Sequence, residues 1–209
     1  MNYADIKEYD AANGYGVRLS LFVSGCPHHC KGCFNSETWD FNFGKPFRED
    51  AMKKMISILT EKSDIYDGIT ILGGEPMAPE NYNCVVDIID TLIENGCLKD
   101  KTVWIYTGYR FDELIWFYGK ESGRHINFRH LLDVTDVIVD GRFVERLKDL
   151  KLRFRGSSNQ RIIDVKRTIE PYRNLDLDEF YDQLFDAVKD SDENIILWDE
   201  NNKGCTVNN

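Results

Sequence analysis

The segment "SGCPHHCKGCFN", residues 24–35, places Cys26, Cys30 and Cys33 close together in the chain. Thiolates are ligands for zinc or for iron–sulfur clusters rather than for magnesium or calcium. A structural zinc ion takes four protein ligands, commonly as two separated pairs. Three cysteines on a four-iron cluster would leave one iron open to a small molecule, so this spacing favours a 4Fe-4S cluster that binds a cofactor directly. The spacing is not shared by the remaining cysteines, which are Cys84, Cys97 and Cys205.

A zinc site is the alternative for the same loop. His28 or His29 would then supply the fourth ligand beside the three thiolates. If neither histidine binds metal, both are expected to be solvated loop residues.

The composition limits the classes of function. The net charge is −10 and the sequence pI is about 4.9, whereas a nucleic-acid binder usually carries a basic patch. The first residues, "MNYADIKEYD", lack the pattern of a signal peptide. No apolar run approaches the roughly 20 residues that a membrane span needs. We therefore expect a cytoplasmic protein that binds neither nucleic acid nor membrane, in a compartment where clustered cysteines bind metal more often than they form disulfides.

Hydrophobic periodicity predicts strands that alternate with helices. This order indicates an α/β fold with a mainly parallel sheet. The polar stretch 119–130 is expected to be a surface insertion, and the last eleven residues a loose tail. Strands are predicted at residues 17–23, 68–72, 101–106, 134–140, 160–165 and 194–198, and helices at residues 49–62, 79–96, 111–118 and 177–190.

Four short motifs each follow a predicted strand. They are "GCPHHC", "GGEP", "TGY" and "DGRF". In parallel α/β folds, the loops at the carboxyl ends of the strands build the active site. The four motifs are therefore expected to meet at one edge of the sheet.

These motifs resemble those of the radical S-adenosylmethionine (SAM) superfamily. "CPHHCKGC" resembles its cysteine signature and "GGEP" its second motif. "YTGY", "VDGRFV" and "FRGSSNQRIIDV" resemble one glycyl-radical-activating branch, the activating proteins of anaerobic ribonucleoside-triphosphate reductases. The resemblance covers residues 13–165. It implies a partial parallel β/α barrel, open at one side, as a single domain over residues 1–209 with a C-terminal extension of uncertain role at 166–209.

The resemblance also implies site residues. Cys26, Cys30 and Cys33 would hold one 4Fe-4S cluster, and SAM would bind its open iron. The SAM amine would donate hydrogen bonds to the carbonyls of Gly73 and Gly74 and to the carboxylate of Glu75. If these glycines make room for the cofactor, Gly74→Val weakens SAM binding and spares the cluster. The remaining candidate SAM-binding residues are Gly32, Cys33, Phe34, Thr107 and Asp140, although Thr107 and Asp140 are also ordinary turn residues.

The implied function is activation of a partner enzyme. A reduced cluster would cleave SAM, and the resulting radical would take a hydrogen atom from a glycine of anaerobic ribonucleoside-triphosphate reductase. An electron donor such as reduced flavodoxin would be a second partner. Three alternatives stay open: activation of another glycyl-radical enzyme, small-molecule chemistry of the deazaguanine-forming type, and a zinc-stabilised interaction module without enzymatic activity.

Overall fold

One mixed sheet of seven strands forms the centre of the protein. The computed structural model describes residues 1–121, 123, 125–189 and 191–202 of the 209-residue chain. The order of the strands in the sheet is β3-β1-β2-β4-β5-β6-β7. The strands are β1 (Asn2–Asp10), β2 (Arg18–Val23), β3 (Lys45–Pro46), β4 (Gly68–Gly73), β5 (Thr102–Tyr106), β6 (Val137–Asp140) and β7 (Arg161–Asp164).

The four central strands β2, β4, β5 and β6 run parallel. At the two sides, β1, β3 and β7 run antiparallel to their neighbours. The α/β class is thus confirmed, and the sheet is partly parallel. The motif-bearing loops after the four central strands lie at the same edge, because the carboxyl ends of parallel strands share one edge.

Both faces of the central strands are buried, which explains their nearly continuous apolar sequences. Side chains alternate between the faces. Val103 and Ile105 of β5 belong to the main core with the helices. Trp104, between them, belongs to a second cluster on the opposite face, where it packs against Phe154 and Trp198.

Helices cover the face of the sheet that carries the main core. The second of them ends as the sequence predicts: Gly96 has φ +69°, and its N–H donates to the carbonyl of Ile93 at 2.8 Å. None of the described helices has the length and apolar character of a membrane span. The helices are α1 (Glu49–Glu61), α2 (Pro79–Glu94), α3 (Phe111–Leu114), α4 (His125–Val134), α5 (Val165–Ile169) and α6 (Leu177–Val188), and a π-helical segment, Ile115–Glu121, continues α3.

The predicted surface insertion at residues 119–130 is wrong. The π-helical segment extends to Glu121, and α4 begins at His125. The sequence looks irregular because its polar residues are frequent, but Phe128, Leu131 and Leu132 are buried and hold α4 on the core. Because α4 continues to Val134, the strand predicted from residue 134 begins only at Val137.

The C-terminal region differs from the prediction in one further way. Residues 194–198 form no full strand: Leu197 makes an isolated bridge with Ile163 of β7, and the N–H of Trp198 donates to the carbonyl of Ile162 at 2.8 Å. The predicted helix in this region is confirmed as α6. Most of the predicted loose tail, including Cys205, lies outside the described residues.

Candidate functional site

The cysteine loop, residues 24–35, begins directly after β2 and is held in place by hydrogen bonds of its main chain. The N–H of Gly25 donates to the carbonyl of Thr38 at 2.8 Å, and that of Cys26 to Trp39 at 3.0 Å. The chain turns back on itself at Gly25 and at Gly32, where φ is +93° and +74°. Glycine adopts these angles without the steric cost that other residues incur, so the two glycines allow the tight coil.

The three thiols of this loop are free. Cys26 is buried, while Cys30 and Cys33 are partly exposed. Burial raises the pKa of the Cys26 thiol to about 11, and burial also raises the pKa of Cys30. These side chains therefore become thiolates near neutral pH only where positive charge, such as that of a metal ion, lies close to them.

Among the residues that the structure describes, no three histidine, cysteine or acidic side chains lie close enough together to hold a metal ion.

The GGEP loop follows β4 and lies against the cysteine loop. The N–H of Gly74 donates to the carbonyl of Val23 at 2.8 Å, and the N–H of Glu75 to that of Gly25 at 2.7 Å. A Cβ atom on Gly73 would lie 2.8 Å from the carbonyl oxygen of Val23. The glycines of this motif thus allow two backbone segments to approach each other, and a contact of the same glycines with SAM stays a prediction.

Glu75 connects three strand-end loops through its carboxylate. The side chain is buried, with a residue exposure of 0%. Its Oε2 atom lies 2.7 Å from Nε2 of His28 in the cysteine loop and accepts the N–H of Gly108 at 2.7 Å. Its Oε1 atom accepts the N–H of Met77 at 2.9 Å. The loops after β2, β4 and β5 therefore meet at one carboxylate, as the positions of the motifs predicted.

Thr107 lies after β5, as expected, and is buried. Its Oγ1 atom accepts the N–H of Tyr109 at 3.1 Å, and its own N–H donates to the carbonyl of Val139 at 2.9 Å. Thr107 thus shapes the turn that presents Gly108 to Glu75.

Asp140 ends β6 and is buried in an ion pair with Arg161. Nε of Arg161 donates to Oδ1 of Asp140 at 3.0 Å, and a second short hydrogen bond joins Arg161 Nη2 to Oδ2. The Oδ2 atom also accepts the N–H of Phe111 at 2.7 Å, at the start of α3. Asp140 therefore ties the end of β6 to α3 and to β7.

The last residues of the cysteine loop pack on the segment after β6. Phe34 is 63% exposed, and its ring centroid lies 5.6 Å from that of Phe143 in the DGRF motif. The ammonium of Lys148 lies 4.6 Å from the Phe34 ring. A Cβ atom on Gly32 would lie 2.9 Å from the side chain of Glu145. Gly32, Cys33 and Phe34 thus form a partly exposed rim of the site.

The RGSSNQ motif supports that segment by hydrogen bonds. Oε1 of Gln160 accepts the N–H groups of Gly156 and Ser157, and its Nε2 atom donates to the carbonyl of Gly141 at 3.0 Å. Nδ2 of Asn159 donates to the carbonyl of Arg142 at 2.8 Å. These polar residues hold the backbone that lies behind Phe34.

Sequence reasoning missed two residues of this site. The expectation that His28 is solvated is wrong, because its side chain is 4% exposed and bonded to Glu75. Asn81, on the buried side of α2, donates from Nδ2 to the carbonyls of Ser24 and Glu75, both at 2.9 Å. An asparagine on the apolar face of a predicted helix was the available signal for Asn81, since a buried amide needs partners.

The chain resembles proteins of one kind along most of its length. Residues 12–163 match a family model described as a 4Fe-4S single cluster domain. The chain is 38% identical, over 160 residues, to the anaerobic ribonucleoside-triphosphate reductase-activating protein of Salmonella typhimurium, which covers 77% of this chain and 96% of the relative. The protein of the same name from Escherichia coli K12 has the same identity and coverage. The chain belongs to the family of anaerobic ribonucleoside-triphosphate reductase-activating proteins.

Family members also occur outside bacteria. The activating protein of Enterobacteria phage T4 is 36% identical over 162 residues, which are 78% of this chain and 93% of the phage protein. No solved structure gives a significant match. The family model ends at residue 163, so α5 and α6 lie beyond the segment that it matches.

Proposed function

We propose that this activating protein reductively cleaves SAM at a 4Fe-4S cluster and thereby generates a glycyl radical on anaerobic ribonucleoside-triphosphate reductase. The observation that carries the proposal is the Glu75 carboxylate, which brings the GGEP loop and the TGY loop to a loop of three free thiols. The similarity to activating proteins of that reductase supports the choice of partner.

Cys26, Cys30 and Cys33 are the proposed ligands of the cluster. Their free thiols and the glycines that coil their loop fit a group that is held by several thiolates. When bound, the cluster supplies the electron that breaks a carbon–sulfur bond of SAM, leaving methionine and a 5′-deoxyadenosyl radical that takes a hydrogen atom from the partner's glycine. The protein contributes binding, orientation and the exclusion of competing reactions.

The Glu75 carboxylate can accept one more hydrogen bond, and the SAM amine is its proposed donor. An ionised carboxylate offers about four acceptor positions. Three are taken by His28, Gly108 and Met77, and two of these lie on Oε2. The Oε1 atom can therefore accept one further donor, and the carbonyls of Gly73 and Gly74 are the proposed neighbours of that amine.

We propose two further groups of SAM contacts around this centre. Thr107 and Asp140 lie at the carboxyl ends of β5 and β6, and each already fixes a turn or a helix start. Gly32, Cys33 and Phe34 form the rim on the other side. Phe34 is the only one of these rim residues with a large apolar surface to offer to an adenine ring.

The central strands are proposed to form an open β/α barrel of radical SAM type. Four parallel strands carry the four motifs at one edge, which supports this geometry. A backbone glycine has no side chain to recognise, so specificity must come from docking the reductase around an exposed face. A donor such as reduced flavodoxin is proposed to supply the electron. Free thiols at all five described cysteines fit action in the reducing cytoplasm.

Anaerobic reconstitution with iron and sulfide tests the proposal. The protein is incubated with SAM, reduced flavodoxin and the reductase, and electron paramagnetic resonance is recorded. We expect a glycyl-radical doublet on the reductase that requires SAM and disappears in air. A matched sample without SAM is the control. If SAM is consumed while the reductase carries no radical, another glycyl-radical enzyme or a small substrate replaces the reductase. If the protein binds one zinc and no sulfide, it is an interaction module instead.

A further inference from the structure

His28 lies in the cysteine loop but faces the GGEP and TGY loops. Its Nε2 atom is 2.7 Å from Oε2 of Glu75, and among the described residues the imidazole is the only side chain that bonds this carboxylate. The other two donors, Met77 and Gly108, use main-chain N–H groups. Toward an ionised carboxylate, which only accepts, Nε2 of His28 is the donor.

The imidazole is also enclosed by packing. Its ring centroid lies 4.5 Å from that of Tyr109, with the rings nearly perpendicular. A Cβ atom on Gly108 would lie 2.3 Å from Cδ2 of His28, so a larger residue at position 108 must displace the imidazole. The position of His28 is thus fixed by the loop that follows β5.

We propose that His28 is a positioning residue for SAM: it orients the Glu75 carboxylate so that Oε1 faces the amine of the cofactor. This inference rests on the proposed function, in which Glu75 accepts that amine. The main-chain bond from Glu75 to Gly25 and the Asn81 bonds connect the same loops without His28. Loss of the imidazole therefore leaves the cysteine loop in place, while one oxygen of a buried carboxylate loses the side-chain donor that His28 provides.

Two substitutions at position 28 distinguish orientation of the Glu75 carboxylate from packing of the His28 side chain. His28→Leu removes the donor but still fills the space with an apolar side chain, whereas the amide of His28→Gln restores a donor near the position of Nε2. His29→Asn is the matched control, since His29 is exposed with φ +47°, a conformation that asparagine tolerates. For each reconstituted protein, iron and sulfide content, the Kd for SAM by equilibrium dialysis, and the change that SAM makes to the reduced cluster's paramagnetic resonance are measured.

We expect His28→Leu to retain iron and to raise the Kd for SAM by about tenfold, as loss of one hydrogen bond to a buried charge implies. His28→Gln should recover most of that affinity, and His29→Asn should match the unmodified protein. Unchanged affinity in His28→Leu, or equal losses in His28→Leu and His28→Gln, overturns the inference. Failure of the unmodified protein to bind SAM overturns the proposed function instead.

Gly108→Ala tests the same inference without changing a residue of the cysteine loop. The added methyl group pushes on the imidazole from the TGY loop. If His28→Leu fails to take up a cluster, Gly108→Ala decides the question. Full iron content with weakened SAM binding supports the inference, and unchanged SAM binding overturns it.

Discussion

A Cβ atom on Gly74 would lie 2.5 Å from the carbonyl oxygen of Gly25, the residue that precedes the first cysteine of the cysteine loop. Real Cβ atoms do not approach a backbone oxygen so closely. The same pair of loops is joined by the hydrogen bond from the N–H of Glu75 to that carbonyl. The second glycine of GGEP is therefore the point at which the proposed SAM loop contacts the proposed cluster loop.

Gly74→Val should consequently disturb the cluster as well as SAM binding. The sequence alone predicted an effect on SAM only, but the side chain must push the Gly25 backbone aside. We expect less than half of the normal iron content after reconstitution and a lower melting temperature of the cluster-free protein. Gly96→Val is the control for iron content: valine is strained at Gly96, where φ is +69°, but no atom lies within 4 Å of an added Cβ, whereas Gly74 has no positive φ and its added Cβ meets backbone. Full iron content in Gly74→Val, with weak SAM binding, would support the sequence-based prediction that Gly74 affects SAM binding alone.

The cysteines provide a second prediction. Alanine at Cys26, Cys30 or Cys33 should abolish the 4Fe-4S cluster, since each thiolate is proposed to bind its own iron. Cys84→Ala is the matched control, because Cys84 is also a free, partly buried thiol but lies on α2. Iron and sulfide per chain and the visible absorption of the cluster are the measurements. A normal cluster in Cys30→Ala, or its loss in Cys84→Ala, contradicts the ligand assignment.

The sequence predicted the central elements well because their apolar residues follow a single period. The buried strands β2, β4 and β5 and the helices α1 and α2 begin and end within a few residues of the predicted bounds. Strand β1 was missed, because most of its side chains are exposed or half-buried and its sequence looks simply polar. The direction of β7 could not be predicted, since an apolar strand has the same pattern whether it runs parallel or antiparallel.

Long-range contacts explain the differences at the site. The positions of the motifs after strands predicted that the loops meet. They did not predict that Glu75 binds an imidazole 47 residues away. Nothing in "PHHC" distinguishes His28, which is enclosed by Tyr109 and Gly108, from the exposed His29. Such choices depend on the three-dimensional approach of the loops, which a linear pattern does not contain.

The ion pair of Asp140 with Arg161 should be important for stability. Arg161→Met leaves the buried Asp140 carboxylate without its charged partner, at a cost of about 3–5 kcal/mol in the free energy of unfolding. Arg153→Met is the control, because Arg153 pairs with Glu200 at the surface, where an ion pair contributes about 0–1 kcal/mol. Urea unfolding of the two cluster-free variants is compared at neutral pH. Equal stabilities would show that the Asp140 pair is not needed to hold β6, β7 and α3 together.

Asp10, at the end of β1, provides a prediction on pH. Burial alone would raise the pKa of this carboxyl, but hydrogen bonds from Asn13, Ala12 and Lys7 outweigh it and hold the pKa below its ordinary value. A carboxyl whose pKa is lowered by folding contributes stability above its unfolded pKa and loses that contribution as the pH falls through its folded pKa. Asp10→Asn should therefore reduce the free energy of unfolding by about 1–2 kcal/mol at pH 7 and by progressively less as the pH falls below about 4. Asp5→Asn, at an exposed position of the same strand, is the control. A difference between Asp10→Asn and the unmodified protein that stays constant from pH 7 to pH 3 would assign the effect to packing rather than to the charge of Asp10.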